Sequence, residues 1–353
     1  MANLKDLLSQ NRLVYDTLTV AGELGAALGQ EVYVVGGVVR DLLIGRPLKE
    51  IDLMVVGDGI VFARELARKL GVRKVVPFAK FGTAMIPYRQ IPVEVASART
   101  ETYTDDSRKP AEVRYTDLPG DLKRRDFTIN AMAIDLRPER FGDLHDPYDG
   151  IRDLELRRLV TPLDPDITFA EDPLRMLRAA YFSAALDCDV DETCLAAIRR
   201  QADRITIVSP ERITAEFLKI LKSPKPSVGL YLLQDTGLMR AVFPEIADMY
   251  GMQQPPEWHH KDVFFHTLQV VDNAAALSEK PELRFAALVH DIAKPVTRRI
   301  DAERGVTFHG HDEIGARILA RVARRMKLPN DLRDYLQKLT RLHLRPIALA
   351  RDG

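Results

Sequence analysis

Two carboxylates separated by a single apolar residue, Glu50-Ile51-Asp52, open a run of apolar residues a short distance after a glycine pair, Gly36-Gly37. No other feature of the chain constrains its fold as tightly. In a strand, side chains alternate between faces, so Glu50 and Asp52 share one face while Ile51, Leu53 and Val55 point into a core. Adjacent carboxylates repel and destabilise a bare fold. A divalent cation removes that repulsion, and hard oxygen ligands suit Mg²⁺. Gly36 and Gly37 stand between a strand (Val34-Val35) and a helix (Val38 onward), where backbone N–H groups and the helix dipole can approach a triphosphate. Glu94, between Val93 and Val95, is a third acid in a predicted strand. It is costly if buried alone and reasonable if it faces the same metal, as a ligand or as a base for an attacking hydroxyl. Two metals then hold the attacking and leaving oxygens of an in-line phosphoryl transfer. Taken singly, these segments are an ordinary turn with surface acids; their joint occurrence carries the metal reading.

The apolar pattern divides the chain. A helix is predicted over 4–29, a strand over 31–35, a short helix over 38–44, a strand over 51–56 and a helix over 60–70. Further strands are expected near 72–77, 83–88 and 92–98. Residues 100–122, polar and interrupted by Pro110, Pro119 and Gly120, read as a mobile loop, and 128–136 return to strand character. From about residue 150 onward the pattern is almost entirely helical. Met252 to Pro256 reads as a linker, with a new helical domain from about Lys261.

The stretch from Gly36 to Val56 resembles the nucleotidyltransferase branch that holds bacterial CCA-adding enzymes and poly(A) polymerases. That family usually carries Asp-x-Asp where this chain has Glu50-x-Asp52, a glutamate one methylene longer, and often an aspartate where it has Glu94. Lys123-Arg124-Arg125-Asp126-Phe127-Thr128-Ile129-Asn130 is similar to the family's next motif. The resemblance implies catalytic roles for Glu50, Asp52 and Glu94, with Mg²⁺ on Glu50 and Asp52. It also implies nucleotide contacts from Gly36, Gly37, Arg40, Asp41, Arg125, Asp126 and Asn130. A guanidinium such as that of Arg125 suits phosphate oxygens, and Asp126 and Asn130 can orient ribose hydroxyls.

Glu171-Asp172-Pro173-Leu174-Arg175 opens a helix, with Pro173 suited to the first turn and Asp172 to the cap. A sharper reading is available. Cytosine and adenine both present an amino donor beside a ring-nitrogen acceptor, and guanine and uracil present the reverse. One aspartate and one arginine can therefore accept C and A and reject G and U, each unpaired buried group costing about 1–3 kcal/mol. The resemblance implies this role for Asp172 and Arg175, with Arg178 also on the nucleotide. Ser209-Pro210-Glu211-Arg212 reads as a capped helix that braces the nucleotide-binding one.

Seven of the eight histidines fall after residue 258. The order His266, His290-Asp291, His309-x-His311 resembles HD-domain phosphohydrolases, which implies a second metal site for Mn²⁺, Ni²⁺ or Fe. His309, His311 and His343 all qualify as later ligands. Because the chain stops at Gly353, soon after an apparent helix, a truncated HD domain is one expectation.

The expected fold is α+β: a nucleotidyltransferase head with a mostly antiparallel sheet (1–148), a helical neck and body (149–250) and a helical HD domain (251–353). The expected activity is template-independent, Mg²⁺-dependent addition of CMP and AMP from CTP and ATP to the tRNA 3′ end. The alternatives are an A-adding enzyme or poly(A) polymerase, or an HD phosphohydrolase with an inactive RNA-binding head. Poly(A) polymerases of this branch tend to carry an Arg-Phe-His signature that is missing between Val75 and Arg99, and the 100–122 segment has the length that CC-only adders tend to lose. The 51 basic and 51 acidic residues balance, so RNA must be held by local clusters such as 123–125, 157–158 or 321–327. The sequence lacks both a span-length apolar run and a signal-peptide core, and it holds only two cysteines, Cys188 and Cys194. These features point to a cytoplasmic protein. Oligomeric state is not readable.

Overall fold

The computed structural model describes residues 2–104, 107–252, 262–301, 305–345 and 349–350. The chain forms two compact units, Met1–Glu171 and Asp172–Gly353.

The first unit runs α1 (Lys5–Ser9), α2 (Arg12–Leu28), β1 (Val32–Val35), α3 (Gly37–Leu43), β2 (Ile51–Val55), α4 (Gly59–Lys69), β3 (Val76–Phe78), β4 (Thr83–Ile86), β5 (Val93–Ser97), β6 (Arg99–Thr104), β7 (Ser107–Tyr115), α5 (Leu118–Lys123), β8 (Ala133–Asp135), β9 (Leu144–His145), α6 (Gly150–Glu155) and α7 (Pro165–Glu171). Seven strands make one sheet in the order β3-β4-β5-β2-β1-β8-β9. Its pairings are antiparallel except β2 with β5, which run parallel. Period-two alternation sorts the side chains. Val32, Val34, Ile51, Leu53, Val55, Val93 and Val95 pack with α2 and α4 in the main core. Tyr33, Val35, Met54 and Ala133 form a smaller apolar cluster on the other face, with Ala98, Leu118 and Leu122. That second face carries Asp52, which alternates with Leu53.

Four predicted elements change. The strand expected near 72–77 begins only at Val76 and runs to Phe78 as β3. The helix over 4–29 is two helices, because the Asn11 side chain accepts the Val14 N–H and caps α2 from an extended backbone. The loop over 100–122 is an antiparallel hairpin, β6 with β7, followed by α5, which Asp117 caps by accepting the Gly120 N–H. The strand over 128–136 shortens to β8, because 128–130 form a 3₁₀ turn in which the Thr128 N–H goes to Val160 O rather than to a ladder.

The second unit is helical: α8 (Leu174–Leu186), α9 (Glu192–Gln201), α10 (Pro210–Lys222), α11 (Pro226–Asp235), α12 (Leu238–Val242), α13 (Pro244–Ala247), α14 (Val263–Leu277), α15 (Pro281–Val289), α16 (Lys294–Thr297), α17 (His311–Arg325) and α18 (Asn330–Leu342). A short hairpin, Arg299–Asp301 with Gly305–Thr307, precedes α17. The linker predicted over 252–256 falls almost wholly outside the described residues, as do His259 and His260. No helix among the described residues is long and apolar enough to cross a membrane.

Candidate active site and metal centre

In the first unit, the parallel β2–β5 register sets Asp52 directly opposite Glu94. Directly opposed residues share a face, so the two acids lie side by side, and Glu50 enters from the residue before β2. Asp52 is half-buried. Its carboxyl is pushed up to about 7, first by burial and then by the charges of Glu50 and Glu94, against the pull of Arg125 and Arg40. Glu94 is raised as well, by burial and then by Glu50. Three mutually coupled acids carry more negative charge than the nearby cations offset, and that is the condition a divalent ion relieves. Oxygen-only ligands fit Mg²⁺.

Beside them, the backbone turns from β1 into α3 at Gly36, whose φ of 72° and ψ of −136° belong to glycine. A Cβ there would sit 2.6 Å from Arg125 Nη1. The absence of that carbon lets the guanidinium lie against the turn. Arg125 is held from behind by Asp121, whose Oδ2 accepts from Nη2 at 2.8 Å and Nε at 3.2 Å; Oδ1 of the same carboxylate takes Arg124 Nη2 at 2.7 Å. Asp121 is buried, and its pKa lies below the usual carboxylate range: burial alone would raise it, and Arg125 and Arg124 outweigh burial. Arg40, also buried, donates Nη1 to Asn130 Oδ1 at 2.7 Å and Nε and Nη2 to Asp41 Oδ1. Asn130 Nδ2 donates in turn to Asp126 Oδ1 at 3.0 Å. Gly36, Gly37, Arg40, Asp41, Arg125, Asp126 and Asn130 are thus drawn into one neighbourhood. Asp121 is the member that sequence reasoning missed. Its signal was the spacing Asp121-x-x-Arg124-Arg125, which on a helix sets both arginines over the aspartate.

In the second unit, Asp172 and Arg175 come together at the start of α8. Asp172 Oδ1 accepts the Leu174 N–H at 3.2 Å and its carbonyl accepts the Arg175 N–H at 3.0 Å. Arg175 is buried, 8% exposed, and Arg178 lies over the Phe182 ring at 5.0 Å. The cap position of α8 is Pro173 and not the expected Asp172, whose carboxylate instead supports the first turn from one residue earlier through Oδ1, while Arg212 Nη2 approaches its Oδ2 at 3.7 Å.

The same unit holds the histidine cluster. Buried Asp291 is reached at Oδ2 by His290 Nε2 (3.0 Å) and Lys294 Nζ (2.7 Å), and at Oδ1 by the Nε2 atoms of His311 (3.4 Å) and His343 (3.7 Å). His266 adjoins His290, with ring centroids 5.8 Å apart. Ligand atoms of His266, His290 and Asp291 form one group within 4.8 Å, and those of Asp291, His311 and His343 another. Each of His290, His311 and His343 has Nδ1 at 2.7 Å from a backbone carbonyl three residues earlier. A carbonyl only accepts, so Nδ1 carries the proton, and in the neutral ring the Nε2 lone pair faces the cluster. The Nε2 atoms of His311 and His343 stand 3.2 Å apart and both face Asp291 Oδ1, an arrangement a metal ion satisfies. Asp291 lies well below the usual carboxylate range: burial raises it, and His290, His311 and Lys294 outweigh burial. One histidine of the expected set lies apart from the rest. His309 is exposed and outside both groups, because Gly310 (φ 72°) turns the backbone between it and His311, the first residue of α17. His343, at the end of α18 and also among the expected candidates, lies in the second group with Asp291 and His311.

An acidic strand pair beside a glycine turn and a phosphate-ready arginine, followed by helices and a His–Asp cluster, is the arrangement of a nucleotidyltransferase that carries an HD domain. Residues 32–160 match the poly A polymerase head domain, residues 188–250 the probable RNA and SrmB-binding site of polymerase A, and residues 263–351 the HD domain. The Multifunctional CCA protein of Methylococcus capsulatus is 38% identical over 322 residues, 89% of this chain and 72% of that protein. The chain belongs to the family of multifunctional CCA proteins. Among solved structures, a tRNA nucleotidyltransferase complexed with a primer tRNA and an incoming ATP analog is 27% identical with a TM-score of 0.65, covering 90% of this chain and 83% of its own. A tRNA-processing enzyme with CTP is 27% identical with a TM-score of 0.67, covering 94% and 80%.

Proposed function

We propose that this chain adds CMP and AMP from CTP and ATP, without a nucleic-acid template, to the 3′ end of tRNA in the cytoplasm, using Mg²⁺. The observation that carries the reading is the parallel register that sets Asp52 opposite Glu94 beside the Gly36 turn and Arg125. Glu50 and Asp52 would hold the magnesium, which when bound would neutralise triphosphate charge and favour departure of the β- and γ-phosphates as pyrophosphate while the α-phosphate is transferred. Glu94 shares the metal or takes the proton of the attacking 3′-hydroxyl. Arg125, tethered by Asp121, grips phosphate oxygens near the backbone of Gly36 and Gly37. Arg40 and Asp41 support that turn, and Asp126 and Asn130 orient the ribose. Asp172 accepts from the amino group shared by cytosine and adenine, Arg175 donates to their ring nitrogen, and Arg178 adds a further contact. We assign these roles to a head over 1–148, a neck and body over 149–250 and an HD domain over 251–353.

The Nε2-inward histidine cluster favours a second activity in the same chain. His266, His290, Asp291, His311 and His343 would hold a transition metal (Mn²⁺, Ni²⁺ or Fe), which supplies Lewis-acid assistance to phosphoester hydrolysis.

Purified full chain is given Mg²⁺, tRNA ending before CCA, and each labelled nucleotide singly and together. Ordered C, C, A addition supports the proposal. A-only products or long A tails favour the A-adding or poly(A) alternative. No incorporation, with phosphate released under Mn²⁺ or Ni²⁺, reduces the head to an RNA-binding module.

A further inference from the structure

Arg284 is a buried cation, 5% exposed, with no carboxylate beside it among the described residues. Its guanidinium instead collects backbone carbonyls. Nη1 donates to Leu221 O at 2.8 Å and Ser223 O at 2.9 Å, Nη2 to Ala275 O at 3.2 Å, and Nε to Ser278 O at 2.9 Å. The first two close the C-terminal end of α10 and the other two the end of α14. Helix ends leave carbonyls unpaired, and a cation there also meets the negative end of the helix dipole. One side chain of α15 thus ties the ends of two helices together, and burying it is tolerable only while those oxygens stay where they are.

The tie leads to the nucleotide-selecting residues. Helix α10 packs on α8, which carries Arg175, and the opposite end of α10 carries Arg212, beside Asp172. Helix α11 also packs on α8, so closely that a Cβ at Gly229 would fall 2.7 Å from Ala180 O. Asp272 of α14 fixes the first turn of α11 by accepting from Ser227 N (3.0 Å) and Ser227 Oγ (2.6 Å). Phe285, next to Arg284, packs on Phe217 of α10. The two α-helices shown here to pack on α8, α10 and α11, are therefore each secured from α14 or α15, within the region that matches the HD domain.

We propose that Arg284 is a positioning residue for nucleotide selection, and that the HD domain serves as the brace of the base-reading helix. This rests on the reading of Asp172 and Arg175 given above. Full-length Arg284→Met and Arg284→Lys are compared with Arg175→Ala on tRNA ending before CCA. Arg284→Met should raise KM for CTP and ATP about tenfold, equivalent to ~1.4 kcal/mol, with kcat within about twofold, and should increase UMP incorporation relative to CMP. Arg284→Lys, which keeps the charge, should restore part of the loss. Hydrogen exchange should quicken over 210–214, far along the helix from Arg284. Folded Arg284→Met with unchanged KM, base choice and exchange overturns the brace; if Arg284→Met does not fold, the same results for Arg284→Lys overturn it. If Arg175→Ala leaves base choice intact, the reading of the pocket fails by itself. The brace then stands or falls on exchange over 210–214.

Discussion

Replacing Asp121 with asparagine tests the triphosphate grip without touching a residue expected to meet substrate. The carboxylate accepts four N–H contacts, from Nε and Nη2 of both Arg124 and Arg125. Asparagine keeps the shape but loses the charge and one acceptor. Charge-assisted hydrogen bonds contribute about 1.5–3 kcal/mol each. The arginines are 26% and 21% exposed and can rehydrate, so the net loss of stability should be about 2–3 kcal/mol. The kinetic effect should be larger, because an untethered Arg125 can shift by the ~1 Å that costs about 10²-fold in a positioned reaction. Steady-state assays on tRNA ending before CCA should show kcat/KM falling for CTP and ATP alike, with base choice unchanged. Arg125→Ala and the double variant should be equally impaired, since Asp121 acts through Arg125. The pH dependence has a definite sign. The folded pKa of Asp121 lies below the unfolded value of about 3.9, so its contribution is complete above that pH and lost as pH falls through the folded value. The stability gap between wild type and Asp121→Asn should therefore close on acidification. Unchanged kcat/KM in Asp121→Asn, or losses that add in the double variant, would refute the reasoning.

Asp52→Asn should abolish nucleotide addition, while its unfolding temperature in EDTA should not fall, because the repulsion from Glu50 and Glu94 is relieved; a lower value would mean that Asp52 stabilises the metal-free fold. Gly36→Ala should cost about 1–3 kcal/mol through its backbone angles and raise KM for both nucleotides by pressing on Arg125, which thermal melts and kinetics would read separately. His343→Ala should weaken Ni²⁺ binding by at least the ~10–100-fold typical of outer-shell losses, whereas His309→Ala should leave the calorimetric isotherm unchanged and neither should alter CMP addition.

The parts of the head that were legible in the sequence are those where one strong local signal fixes position: the Glu50-x-Asp52 alternation, the Gly36-Gly37 turn, and Glu94 between valines. The β6–β7 hairpin was hidden because β6 is almost wholly polar and β7 holds Pro110, a residue that argues against a strand. Asp121 was hidden in consequence, since its relation to Arg124 and Arg125 exists only once α5 is helical. The histidine site shows the same limit. His309 and His311 are close in sequence, yet the left-handed Gly310 separates them, and His343 arrives from a different helix. Local pattern names residues that can act; the chain path decides which of them meet.

The single parallel pair in the head sheet also governs when the acidic cluster exists. Antiparallel neighbours can be joined by a tight turn, but β2 and β5 are bridged by α4 and the β3–β4 ribbon. Asp52 and Glu94 meet only after that whole crossover has closed, a late and slow step for a contact so distant in sequence. Until the crossover closes, Glu50 and Asp52 lack Glu94 beside them, so the three-acid cluster is a property of the assembled sheet and not of the local Glu-x-Asp sequence.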